Sequence, residues 1–273
     1  MEDSPHSTTG RVRRLAKLAK RSVLGRPIIA LTAYDAQTAA WLSTCDVDFI
    51  LVGDSAANVV AGHKSTLPMT MDEMLYHTRM VVRGAGSMLV VGDMPFLSDE
   101  IAPEDAVRNA GRFIKEAGAD GVKVEGGASM LPSISAIVRA RIPVIGHVGL
   151  TPQSVLQMGG YRVQGKTEED AARIRSDALA LQDAGVSALV LECVPGALAA
   201  QLTEELAVPT IGIGAGPGCD GQILVTHDLL GWDEKPKHFV KPYADFRNQA
   251  VSAVTAYIED VRAGVFPDDA HSF

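Results

Sequence analysis

The stretch Phe49-Ile-Leu-Val-Gly-Asp-Ser-Ala-Ala-Asn58 runs four apolar residues into a glycine and then presents an aspartate and a serine at once. The form recurs along the chain. MLVVGD ends its apolar run at Asp93, GVKVEG carries Lys123 and Glu125, PVIGHVG carries His147, and ALVLEC ends at Glu192. Short runs rich in Val and Ile, apolar at consecutive positions and bounded by glycine, read as strands buried on both faces. That is the pattern of a parallel sheet covered by helices.

Working outward, further strands are expected at IIALTAYD (Ile28 to Asp35), Pro143 to Gly149 and PTIGIGAG (Pro209 to Gly216). A weaker eighth is expected at HFVKPY (His238 to Tyr243). Helical segments fall between the runs. PEDAVRNAGRFIKEAG opens at Pro103 with acids in its first turn and stops at Gly118, a C-cap residue. TEEDAARIRSDALALQDAG opens at Thr167, an N-cap residue, and stops at Gly185. Eight strands alternating with helices over about 250 residues predict an α/β protein with the (β/α)8 TIM barrel fold. A doubly wound open sheet is the alternative. In a barrel the C-terminal strand ends face one mouth, so five polar strand endings on that side predict a site there.

Composition bounds the function. The chain has 273 residues, 47% of them hydrophobic, enough for one large core. Absence of a linker-like or low-complexity segment favours a single domain over residues 1–273, with residues 1–26 as a basic, helical N-terminal extension. Its Gly10–Ser22 part reads as a transit peptide or, more commonly, as a short capping helix. The net charge of −8 argues against nucleic acid as a partner. No apolar run is long enough to span a membrane. Three cysteines, Cys45, Cys193 and Cys219, are odd in number and not spaced as metal-ligand pairs, and read as reduced thiols of a cytoplasmic protein. Gly216-Pro-Gly-Cys-Asp-Gly221 matches a dinucleotide fingerprint formally, but its proline and the lack of a following acid make it a glycine-rich loop.

Asp54, Asp93 and Glu125 end three neighbouring strands. Three converging carboxylates repel one another unless a cation offsets them, and an all-oxygen set suits Mg²⁺. Each one alone reads equally well as a cap or an ion-pair member. Lys123 and Glu125, two apart on a strand, point to the same face. Lys123 can neutralise a substrate carboxylate or enolate, or simply pair with the acids. Glu192, on a separate strand, suits a general base, with a salt-bridged surface glutamate as the equal alternative. His147 reads first as a core histidine satisfied by hydrogen bonds. Together these parts suggest removal of a proton beside the carbonyl of a metal-chelated 2-oxo acid.

LTAYDAQTA, ILVGDS, STLPMTMDEMLYHT, DMPF, VKVEGG, GHVGLTPQ, GGYRVQGKT, LVLECVP, PTIGIGAG, DGQILVTHDLLG and GVFPDDAHSF extend the pattern from about Leu31 to the last residue. On these motifs the chain resembles the ketopantoate hydroxymethyltransferase (3-methyl-2-oxobutanoate hydroxymethyltransferase) family. The resemblance implies a TIM barrel of the phosphoenolpyruvate mutase-like superfamily and a cytoplasmic homo-oligomer, often a decamer. It implies hydroxymethyl transfer from 5,10-methylenetetrahydrofolate to 3-methyl-2-oxobutanoate, giving 2-dehydropantoate for pantothenate and coenzyme A. It assigns Mg²⁺ to Asp54, Asp93 and Glu125, and the oxo acid to Asp54, Ser55, Asp93 and Lys123. Glu192 is the implied proton acceptor. Leu97-Ser98-Asp99, His63-Lys64 and Asp48-Phe49 depart from the family pattern; the first two bear on folate affinity and none touches the assigned residues. A lyase of the isocitrate lyase type is the rival enzyme class, but no cysteine here is followed by Gly-His. A non-catalytic oxo-acid-binding barrel is the rival outside enzymes, and it would have no use for Glu192.

Overall fold

The computed structural model describes residues 25–273, so the Gly10–Ser22 segment lies outside the described residues. The chain falls into two compact units, one ending at Leu224 and one spanning Val225–Phe273.

The first unit is a closed, all-parallel barrel in the strand order β1 to β8. Its strands are β1 (Ile28–Thr32), β2 (Phe49–Val52), β3 (Leu89–Asp93), β4 (Gly121–Glu125), β5 (Val144–Gly149), β6 (Ala188–Glu192), β7 (Thr210–Ile213) and β8 (Gly221–Leu224). The helices of this unit are α1 (Ala36–Leu42), α2 (Ala56–Val59), α3 (Met71–Gly84), α4 (Pro103–Arg112), α5 (Leu131–Arg139), α6 (Val155–Met158), α7 (Glu168–Asp183) and α8 (Gly196–Glu205).

Seven strands lie where the apolar runs predict them. The eighth does not. His238–Tyr243 has no strand structure, and barrel closure falls to Gly221–Leu224, which pairs with β1 from Ile28 to Leu31. The reason is a missing helix. The connection from β7 to β8 is residues 214–220 and carries no helix, whereas parallel neighbours usually need a crossover of about a dozen residues or more. An expectation built on strict alternation looks for the last strand too far along the chain.

Period-two alternation sorts each strand into two layers. Inside the barrel lie Ile28, Ala30, Phe49, Leu51, Leu89, Val91, Ile145, Ala188, Val190, Ile211 and Ile223. Facing the helices lie Ile50, Val52, Val90, Val122, Val124, Val144, Val148, Leu189 and Leu191. This second layer meets buried residues such as Met74, Val81, Ile134, Ile174 and Leu202 from α3, α5, α7 and α8. Both faces are therefore apolar, which is why the strands read as unbroken hydrophobic runs.

Local signals set the helix ends. Thr70 and Glu73 form a reciprocal capping box at the start of α3. The Thr167 hydroxyl accepts the Asp170 N–H at the start of α7, as predicted. α4 widens into a π-turn, Phe113–Ala117, which Gly118 ends at φ 77°. The wide turn seats the fully buried Phe113 ring against β3. A Cβ at Gly92 would lie 2.3 Å from that ring, so glycine is required one residue before Asp93.

The strand starts share a second device. Asp48, Asp120 and Asp220 each immediately precede an even-numbered strand. Their carboxylates accept the backbone N–H of Ile29 at 2.9 Å, Val90 at 3.0 Å and Thr210 at 2.9 Å on the odd-numbered neighbour. Each satisfies an amide at the end of the barrel opposite the polar strand ends.

The second unit holds α9 (Thr226–Leu230) and α10 (Phe246–Ala263). Within it Lys237 Nζ pairs with the buried Asp228 at 2.7 Å, and Arg247 pairs with Glu234. Along α10, Val251, Val254, Ile258 and Val261 recur at three- and four-residue spacing and are exposed.

Candidate active site

The polar ends of β3, β4, β5 and β6 and the turn after β2 converge at one mouth of the barrel. Asp93 is the last residue of β3, Lys123 and Glu125 lie on β4, His147 on β5, and Glu192 ends β6. Strand register sets their neighbours: Asp93 pairs with Lys123, Glu125 with His147, and Gly149 with Glu192. Asp54 arrives from the turn after β2, and its N–H donates to Asp93 Oδ2 at 3.0 Å.

The three predicted ligands come together. One carboxylate oxygen from each of Asp54, Asp93 and Glu125 lies within 4.8 Å of the others, and all three residues are buried. Lys123 lies among them as the pattern predicts. Its Nζ is 2.9 Å from Asp93 Oδ1 and 2.9 Å from Glu125 Oε1. Both readings of Lys123 therefore describe the same place: it pairs with the acids and puts positive charge at the mouth.

His147 is not a histidine satisfied by ordinary core partners. Its Nδ1 is 3.3 Å from Glu125 Oε1, and its Nε2 is 3.3 Å from Glu192 Oε2. It spans the carboxylate cluster and the separate acid on β6. Ser55 lies beside Asp54, and its hydroxyl is 2.8 Å from the Tyr34 hydroxyl.

The electrostatics follow from burial and crowding. Desolvation, with the charges of Asp93 and Glu125, pushes Asp54 well above the usual carboxylate range. Desolvation also raises Asp93, although Lys123 opposes it. Burial would raise Glu125 too, but the Lys123 charge and the His147 contact win and lower it to about 2. Burial and Lys123 would lower His147, yet its contacts with the Glu125 and Glu192 carboxylates outweigh them and raise it to about 9. Lys123 is held well above its ordinary range by Asp93, Glu125 and Asp54 despite its burial. Buried, mutually repelling carboxylates with an all-oxygen donor set fit a hard divalent cation such as Mg²⁺.

A sequence model of the ketopantoate hydroxymethyltransferase family matches residues 12–269. The chain belongs to that family. It is 54% identical over 260 residues to the 3-methyl-2-oxobutanoate hydroxymethyltransferase of Moorella thermoacetica, covering 95% of this chain and 97% of that one. It is 53% identical over 265 residues to the enzyme of the same name from Geobacter sulfurreducens, covering 96% and 99%. Among solved structures it is similar to 2,3-dimethylmalate lyase, a PEP mutase/isocitrate lyase superfamily member. There the TM-score is 0.58 at 19% identity, covering 95% of this chain and 92% of that one. It is also similar to a phosphonopyruvate hydrolase complexed with oxalate and Mg²⁺, with a TM-score of 0.63 at 14% identity over 95% and 91%. These two likenesses concern the fold alone, the closed barrel of eight parallel strands.

The mouth of this hydroxymethyltransferase barrel also holds residues whose roles the amino-acid order does not announce. Tyr34, buried after β1, reaches Ser55, and Gln153, buried after β5, reaches both Asp54 and Glu125. The motifs that contain them, LTAYDAQTA and GHVGLTPQ, were the available signal, but neither residue type announces a contact across the barrel. Among the described residues no helix is long and apolar enough to cross a membrane.

Proposed function

We propose that this chain transfers a one-carbon unit from 5,10-methylenetetrahydrofolate to 3-methyl-2-oxobutanoate, giving 2-dehydropantoate for pantothenate and coenzyme A synthesis. The observation that carries this reading is the division of acids at the mouth. Three carboxylates crowd together around Lys123, and a fourth, Glu192, is set apart from them across His147. The family membership supports the transfer; the donor is the one the family resemblance implies, and the proton-transfer route rests on the chemistry of the site.

Asp54, Asp93 and Glu125 would hold Mg²⁺, which supplies Lewis-acid polarisation of the oxo acid when bound. Asp54, Ser55, Asp93 and Lys123 contact the oxo acid, and the Lys123 ammonium offsets the negative charge that develops on its oxygens. Glu192 takes the C3 proton. The electron pair freed at C3 forms the new C–C bond to the donor's methylene carbon. The C–N bonds to that carbon break, and one water supplies the hydroxyl oxygen of the product. His147 holds the Glu192 carboxylate in place for the proton transfer.

Deuterium exchange at C3 of 3-methyl-2-oxobutanoate, followed by NMR in D2O with Mg²⁺ and without folate, tests the proton-transfer half. Metal-dependent exchange that disappears in Glu192→Gln is the expected result. Absence of exchange both with and without tetrahydrofolate would overturn the reading in favour of a binding protein.

The exposed apolar row on α10 supports assembly into a homo-oligomer, which the family resemblance puts at a decamer. Analytical ultracentrifugation of the full chain measures its size, and a monomer would overturn that part.

A further inference from the structure

Gln153 touches two of the three crowded carboxylates and comes from none of their strands. It follows β5 in the turn Pro152–Ser154 and is 6% exposed. Its backbone N–H donates to Glu125 Oε2 at 3.1 Å. Its side-chain Nε2 donates to Asp54 Oδ2 at 3.1 Å and to the Met94 carbonyl at 2.9 Å. One residue thus uses three donors at once, and two of them end on the proposed metal ligands.

The turn that carries it is itself fixed. The Leu150 N–H donates to the Glu192 carbonyl at 2.8 Å. Gly149 has φ 98°, and a Cβ there would lie 2.3 Å from that same carbonyl oxygen. The Ser154 N–H closes the turn on the Thr151 carbonyl at 2.9 Å. Gln153 is therefore anchored to the backbone of β6 while it holds side chains from the turn after β2 and from β4.

Every donor in this arrangement points at an oxygen, and a buried amide that gives both its hydrogens away is tightly oriented. The remaining contacts show what the frame leaves open. Glu125 uses Oε1 for Lys123 and His147 and Oε2 for Gln153, and Asp93 uses Oδ1 for Lys123 and Oδ2 for the Asp54 N–H. Among the described residues, Gln153 is the side chain that donates a hydrogen bond to Asp54 Oδ2. Without that amide, the Asp54 carboxylate is free to turn away from its repelling neighbours.

We propose that Gln153 is a positioning residue for the divalent cation: it clamps Asp54 and Glu125 into one ligand frame before metal or substrate arrives. The assignment rests on the metal reading of the carboxylate trio and names the residue that preorganises it. Hydrogen-bonding partners behind metal ligands typically alter affinity by about 10- to 100-fold.

The test is Mn²⁺ binding to the substrate-free protein, measured by EPR for wild type, Gln153→Met and Gln153→Leu, with thermal unfolding in EDTA alongside. Met keeps the length of the side chain and Leu most of its volume, and neither donates a side-chain hydrogen bond. Both retain the backbone N–H to Glu125. The expected result is a loss of Mn²⁺ affinity of about 10-fold or more in both variants. A purely structural role would lower the unfolding temperature in EDTA and leave the affinity of the folded protein unchanged. Equal affinity in wild type and both variants overturns the Gln153 assignment alone. Failure of wild type to bind Mn²⁺ overturns it together with the metal reading.

Discussion

His147 Nε2 stands 3.3 Å from Glu192 Oε2, while its Nδ1 stands 3.3 Å from Glu125 Oε1. One imidazole therefore separates the proposed base from the proposed metal ligands and touches both. A base inside the carboxylate cluster would have its electron pairs occupied by the cation. A base with no tie to the cluster would have no fixed position relative to the oxo acid. The ring meets both requirements. Glu192→Gln keeps the shape of the side chain and removes its basicity, so the oxo acid should bind with near-normal affinity while turnover falls by about 10²- to 10⁴-fold. Calorimetric titration with the oxo acid and steady-state kinetics check the two halves separately; normal turnover would remove Glu192 from the role.

The pH dependence of the metal-free protein should carry the mark of His147. Its folded-state value is raised to about 9 from an ordinary 6.5. A raised group contributes stability below its unfolded value, and that stability is lost as pH rises through the folded value. Stability in EDTA should therefore decline between about pH 6.5 and 9. The raised Asp54 adds a decline of the same sign, starting at the ordinary carboxylate value and running up to its raised one. His147→Gln should flatten the upper part of the curve in thermal melts across pH. An unchanged slope would mean that the ring is neutral in the folded protein.

Metal binding should reverse part of this trend. A cation at the trio competes with the proton on Asp54, so Mg²⁺ should raise the unfolding temperature more at pH 8 than at pH 5.5. Melts with Mg²⁺ and with EDTA at both pH values measure the difference. Asp93→Asn should reduce it at both.

Asp120 separates stability from chemistry. Its carboxylate accepts the Val90 N–H at 3.0 Å, at the barrel end away from Asp93 and Glu192. Asp120→Ala leaves a buried amide unpaired and should cost about 1–3 kcal/mol in urea unfolding. The kcat of the folded fraction should stay near wild type.

Gly149→Ala should damage both. Its φ of 98° disfavours any side chain, and the new Cβ would meet the Glu192 carbonyl oxygen at 2.3 Å. The strain displaces the proposed base as well as β5. A loss of kcat larger than the folded fraction explains is the expected outcome, read from activity normalised to native protein by circular dichroism.

Much of this was legible in the amino-acid order, for identifiable reasons. Strands buried on both faces announce themselves as apolar runs, and Asp54, Asp93, Lys123, Glu125 and Glu192 stand where those runs stop. Two things escaped. The strand Gly221–Leu224 is short and starts with a glycine whose Cβ would lie 2.3 Å from the Ile28 carbonyl oxygen, so packing against β1 rather than composition selects it. Gln153 meets Asp54 across 99 residues of sequence, through a turn that only the closed barrel brings over the mouth. Tyr34 and Ser55 meet in the same way across 21. Such contacts have no local spacing to betray them.

The helix-free link between β7 and β8 bears on how the chain is made. Ile28 of β1 takes its lateral partner from Gly221, so the first strand to leave the ribosome waits for the last before its free edge is covered. Contacts of such long sequence separation form slowly. Until then β1 and β7 both present unpaired backbone edges, the kind that recruit strands from other chains. With no helix to synthesise between them, β8 follows β7 immediately, and the interval in which the half-made barrel stands open is shortened.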